Sequence, residues 1–175
     1  MNDVPTRQRA GAVQGPTQPH LNSRPVTTKV SEIVFAVEPW APTRTLLTPF
    51  VDGRSFGEMV TEYEESHGWE DAGIHEGLVV GGEQLQDLPR YLLDGQSLEQ
   101  FGATGTVLLG CTCGTIDDGP FFGTLLVTDN QVTRLEFRNP MAVGLGWDYS
   151  GLGPFVFDRA QYEQAIADAM LQALG

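Results

Sequence analysis

The segment from Phe121 to Arg138 constrains the chain more than any other. Two runs rich in β-branched and aromatic residues, Phe121 to Thr128 and Gln131 to Arg138, flank the dipeptide Asp129-Asn130. Both turn residues tolerate the left-handed backbone that a two-residue hairpin demands, so the spacing predicts a β-hairpin over 121–138. With that turn, Phe122, Thr124 and Leu126 share one face with Thr133, Leu135 and Phe137, which is the expected core face. Phe121, Leu125 and Val127 then oppose Val132, Arg134, Glu136 and Arg138 on a mixed, half-wet face.

Ahead of the hairpin, Val107 to Leu109 is a short apolar run ended by Gly110, followed by Cys111-Thr112-Cys113-Gly114. Glycines on both sides permit backbone angles closed to other residues. Three readings fit the two cysteines. They fill a tight turn as small buried apolar groups; or Cys111, Cys113, His67, His75 and Asp118 hold a zinc ion; or one thiolate acts as a nucleophile or redox switch beside a histidine. A disulfide between residues two apart would be strained.

Two helices stand out. Ser55-Phe56-Gly57-Glu58 is a capping box, and Phe56, Met59, Val60 and Tyr63 fall at i, i+3, i+4 and i+7, so a helix runs near 55–67 and ends at His67-Gly68. Glu58, Glu62, Glu64 and Glu65 are assigned to its wet face. Asp158 caps a second helix near 159–173, whose stripe is Tyr162, Ala165, Ile166, Ala169, Met170 and Ala173.

Between them, Ser31 to Glu38 and Arg44 to Val51 read as strands around a Pro39-Trp40-Ala41-Pro42 connection, with Pro49 requiring an edge or a bulge. Gly77 to Gly82 is a glycine-bounded apolar run. Pro89 interrupts Leu85 to Leu93, and Ser97 to Gln100 caps one further turn. Trp147 to Phe157 reads as an ordered, buried loop. The sum is an α+β class, with a small mixed or antiparallel sheet.

Residues 1–29 differ in kind. They carry four prolines, little aliphatic content and four basic groups against Asp3, a composition that cannot bury enough surface to offset its ordering entropy. A disordered tail over 1–29 and one α+β domain over 30–175 follow. The tail has no apolar core of the secretory kind, and no run approaches eighteen apolar residues, so a cytoplasmic protein with no membrane span is expected.

Setting that tail aside takes the net charge from −13 to about −16, because Arg7, Arg9, Arg24 and Lys29 leave together with Asp3. Nucleic-acid backbones are repelled by such a surface, and a basic protein partner is attracted. No G-x-G-x-x-G, P-loop lysine, G-x-S-x-G or H-E-x-x-H occurs. The favoured expectation is a non-catalytic binding domain, immunity- or antitoxin-like, presenting Glu58, Glu62, Glu65, Glu70 and Asp71. A metal-binding domain or a cysteine-dependent enzyme is the alternative.

L-G-C-x-C-G at Leu109 to Gly114, together with W-D-Y-S-G-L-G-P-F-x-F-D-x-x-Q-Y at Trp147 to Tyr162, resembles a family of uncharacterised bacterial proteins common in actinobacteria. That family often carries C-G-x-x-x-C-W-P in the turn. On the same spacing its further cysteine falls on Asp118, its tryptophan on Gly119 and its proline on Pro120. The resemblance implies a small intracellular α+β domain, with Asp118 as an oxygen donor in place of a thiolate.

Overall fold

In a computed structural model, which describes residues 29–94, 105–115 and 118–175, Asp129 and Asn130 form the hairpin turn, and the Thr128 N–H donates to the Gln131 carbonyl at 2.9 Å. The proline-rich segment up to residue 28, the turn expected at Ser97 to Gln100, and Asp117 lie outside the described residues.

The fold is α+β, with two sheets. Its elements in order are β1 (Val30–Ser31), β2 (Ile33–Ala41), β3 (Arg44–Val51), β4 (Arg54–Ser55), α1 (Phe56–Ser66), β5 (Leu78–Gly81), α2 (Gly82–Gln86), α3 (Leu88–Asp94), β6 (Thr106–Leu109), β7 (Phe121–Val127), β8 (Gln131–Arg138), a 3-10 turn (Pro140–Leu145), β9 (Phe155–Asp158) and α4 (Arg159–Leu174). The first sheet has the order β1-β9-β8-β7-β6, antiparallel except for β1 on β9. The second is β2-β3-β4, with β5 also paired to β3. Ile33, Phe35, Leu47 and Val51 of one sheet and Leu108, Phe137 and Phe157 of the other meet in a shared core.

The hairpin register agrees with the sequence at its tip, where Val127 pairs Val132 and Leu126 pairs Thr133. Its faces do not. Leu126, expected inside, is 53 % exposed, whereas Val132 and Arg134, expected on the half-wet face, are buried. Between Thr124↔Leu135 and Phe122↔Arg138, β8 carries one residue more than β7, a bulge centred on Glu136 at φ 52°. That extra residue lets Arg134 and Phe137, three apart, both point inward. Arg134 crosses the core instead of meeting water: its Nη2 donates to the Tyr162 hydroxyl at 2.6 Å and to the Leu92 carbonyl at 2.9 Å.

The second sheet corrects two further boundaries. β2 continues through Pro39, Trp40 and Ala41, so the connection shrinks to Pro42-Thr43. Pro49 pairs Phe35 on one side; on the other it falls between the partners of β5, which end at Leu47, and of β4, which begin at Phe50. No ladder donor is required there, which is why a proline is tolerated in a strand paired on both flanks. Pro89 is the second residue of α3, inside its first turn, where its missing N–H costs nothing. Of the expected loop 147–157, the last part is strand β9.

Both capped helices form. Ser55 Oγ accepts from the Glu58 N–H, and Asp158 Oδ1 accepts from the Gln161 N–H at 3.0 Å. α4 packs across both sheets, with Tyr162 edge-on to Phe35 and tilted against Phe157. Among the described residues no helix is long and apolar enough to cross a membrane.

Candidate functional site

Three places bear on function: the cysteine turn, a buried cluster beneath α1, and the acidic surface beside it. The cysteine turn is held by backbone pairing. Thr112 N–H donates to the Ile74 carbonyl at 2.8 Å and Gly114 N–H to the Cys111 carbonyl at 2.9 Å, while Cys111 bridges His75 across the chain. Gly114 adopts φ +79° beneath Trp40, where an added Cβ would lie 2.6 Å from the indole Cζ2. Gly114→Ala is therefore expected to cost about 1–3 kcal/mol through left-handed strain, read as a lowered urea midpoint, and to shift Trp40 emission to the red as the ring is displaced.

Cys111 is half-buried and Cys113 exposed, so the reading of both sulfurs as buried filler is corrected. Cys113 N–H donates to Cys111 Sγ at 3.1 Å, and the Cys113 thiol donates to Asp118 Oδ2 at 3.6 Å. Burial, followed by the neighbouring Cys113 thiol, pushes the Cys111 thiol up. Cys111, Cys113 and Asp118 place donor atoms within 4.8 Å of one another.

Neither histidine joins them. His67 caps α1, with Nδ1 donating to the Tyr63 carbonyl at 2.7 Å and its ring between Tyr63 and Trp69. The His75 side chain is fully buried, packed on Phe121 and facing Glu64 and Asn139. The backbone bridge puts His75 beside Cys111, but strand geometry sends the ring into the core.

The buried cluster is the part that sequence reasoning missed. Glu64, assigned to the wet face of α1, is fully buried. Phe56, Val60 and Glu64 stand at i, i+4 and i+8, one stripe of the helix, and all three are buried. Tyr149 donates to Glu64 Oε1 at 2.7 Å, Gly73 N–H donates to Oε2 at 3.1 Å, and His75 Nε2 lies 3.5 Å from Oε1. Burial pushes the Glu64 carboxyl up, but the bonds from His75, Tyr149 and Gly73 outweigh it and hold the acid below its ordinary range. Tyr149 is raised in turn, by burial and then by the carboxylate it faces.

Stacked rings close over this cluster. Trp69 lies on Trp147 at 4.8 Å and Tyr63 on Tyr149 at 5.9 Å, and the Tyr63 hydroxyl donates to the Asp148 carbonyl at 3.0 Å. The cluster is sealed, so its chemistry is structural: it ties α1, the 69–76 connector and the 147–152 loop together.

Between α1 and the outer face of β2–β3 lies an open groove of about 620 Å³. Glu38, Glu58, Glu62 and Glu76 line it, with Leu46 and Phe50 contributing apolar floor. Glu62 pairs with Arg54 at 2.6 Å; the other three have no ion pair among the described residues. Glu58 and Glu62 of the expected partner-binding set thus sit on the groove. Glu65, in the last turn of the helix, and Glu70 and Asp71, beyond its end, are exposed and outside the groove's lining. Glu76 ends the acidic 69–76 connector, whereas Glu38 joins the same rim through strand pairing, which sequence spacing does not reveal.

No protein-family model, curated protein or solved structure matches the chain.

Proposed function

We propose that this chain is a non-catalytic binding protein whose acidic groove captures a basic protein partner, in the manner of an immunity protein or antitoxin. The observation that carries the reading is the convergence of Glu38, Glu58, Glu62 and Glu76, from a strand, a helix and a connector, on one concavity with apolar floor. Such a surface suits a cationic side chain whose aliphatic stem packs on Phe50 and Leu46 while its charge meets the carboxylates. The charge of the chain, −13, supplies a long-range field of the same sign. The enzyme reading lacks an imidazole beside the thiols among the described residues, since His67 and His75 are engaged elsewhere.

The test uses the immobilised full chain and a lysate of its source cells. It is expected to retain a basic polypeptide at about 0.05 M salt and to release it at about 0.3 M, as screening shortens the reach of exposed charges. Neutralising the groove with Glu38→Gln, Glu58→Gln and Glu76→Gln is expected to weaken capture of that polypeptide by about ten-fold or more, while Glu83→Gln with Asp87→Asn, outside the groove, leaves it unchanged. Capture that survives high salt, or that the groove variant keeps, overturns the reading.

A further inference from the structure

We infer that Cys111, Cys113 and Asp118 form a binding site for a thiophilic divalent cation of the zinc and cadmium class, using two sulfurs and one oxygen and no histidine. The geometry fits before any cation arrives. A tetrahedral ion that bonds sulfur at about 2.3 Å and a carboxylate oxygen at about 2.1 Å holds the two about 3.6 Å apart. Cys113 Sγ and Asp118 Oδ2 are 3.6 Å apart, and all three donors lie within 4.8 Å of one another.

The frame around the donors is built independently of them. Cys111 is anchored by its bridge to His75 and Thr112 by Ile74, Gly114 is wedged under Trp40, and Asp118 N–H donates to the Thr115 carbonyl at 3.3 Å. The donors therefore lose little conformational freedom when they close on an ion. Exposure of Cys113 and Asp118 provides the entry path, and solvent completes the coordination shell on that side. Two soft sulfurs exclude magnesium and calcium, which take oxygen donors.

Binding is an exchange. Each thiol gives up its proton to solvent as its sulfur bonds the cation, the carboxylate gives up none, and no oxidation state changes. One cation therefore releases two protons.

The experiment titrates the reduced, tag-free full chain anaerobically with cadmium(II), following thiolate-to-cadmium absorption and proton release in weak buffer. Expected are saturation at one equivalent, two protons per cation, and displacement by zinc(II). Cys113→Ser, which touches only exposed surface, removes half the absorption and weakens binding at least 100-fold. Asp118→Asn weakens it about ten-fold with two protons still released, and His67→Ala changes nothing. Far-ultraviolet circular dichroism confirms that the variants fold. Failure to saturate, an affinity unaltered by Asp118→Asn, or a loss in His67→Ala would falsify the assignment.

Discussion

Replacing Glu64 with leucine is expected to lower stability by about 3–5 kcal/mol, a fall in melting temperature of roughly 10 °C or more for a chain of this size. The cost does not come from lost charge on the surface, because Glu64 has none there. It comes from what remains: the Tyr149 hydroxyl, the Gly73 N–H and the His75 ring would stay buried without their acceptor. Among the described residues His75 Nδ1 has no hydrogen-bond partner, so the ring has no second bond to fall back on once Glu64 is gone. Glu64→Gln keeps an oxygen for Tyr149 or Gly73 and is expected to cost less, about 1–3 kcal/mol.

The pH dependence separates these variants further. Because the folded-state acid is held below its unfolded value, the ionised carboxylate contributes stability above the ordinary glutamate range, and that contribution is lost as pH falls through the lowered value. Melting curves of wild type and Glu64→Gln should therefore converge as pH drops from neutral towards about 3, the wild type losing more. A Glu64→Leu chain that melts with the wild type would remove the cluster from any structural role.

The contrast between Glu64 and the rest of α1 shows what the sequence made legible. Phe56, Met59, Val60 and Tyr63 announce a helix and one buried face, and the Ser55 cap gives its start; all of this the fold reproduces. The same period extended by four residues from Val60 reaches Glu64, but a carboxylate read alone defaults to water. Only the tertiary structure supplies the Tyr149, Gly73 and His75 donors that make its burial affordable, and these come from segments nine to 85 residues away.

The hairpin repeats the lesson at the backbone level. Asp129-Asn130 set the register at the tip, but the bulge at Glu136 is invisible in alternation: Phe122 and Phe137 are core as expected, while on the tip side Val132 and Arg134 face inward instead of Leu126. At the cysteine turn, spacing gathers Cys111, Cys113 and Asp118, whose donor atoms the structure brings together, whereas His67 and His75 are committed to an aromatic stack and to the core by contacts no local pattern encodes.

Gly77→Ala is expected to be nearly as damaging as the loss of Glu64, about 3–5 kcal/mol, although it adds a single methyl group. Gly77 sits where the connector passes between the two sheets. Its carbonyl accepts from the Gly110 N–H at 3.1 Å, next to the last residue of β6, and the following residue begins β5. A Cβ there would lie 2.5 Å from the Leu47 carbonyl oxygen, 2.8 Å from Thr48 Oγ1 and 2.9 Å from Leu46 Cδ1. The nearest of these is backbone of the central strand β3, which is paired to β2 through Leu47 and cannot retreat without breaking that ladder. The clash must therefore open the junction of the sheets, at the cost of the Gly110 bond and of core packing around Leu78 and Leu109. Gly82→Ala supplies the control: that residue opens α2 with nothing within 4 Å of an added Cβ, so alanine there should be neutral or stabilising by about 0.5–1 kcal/mol. Urea unfolding of the two variants in parallel decides the matter. Equal midpoints would mean that the sheets do not meet at Gly77 as closely as the structure has them.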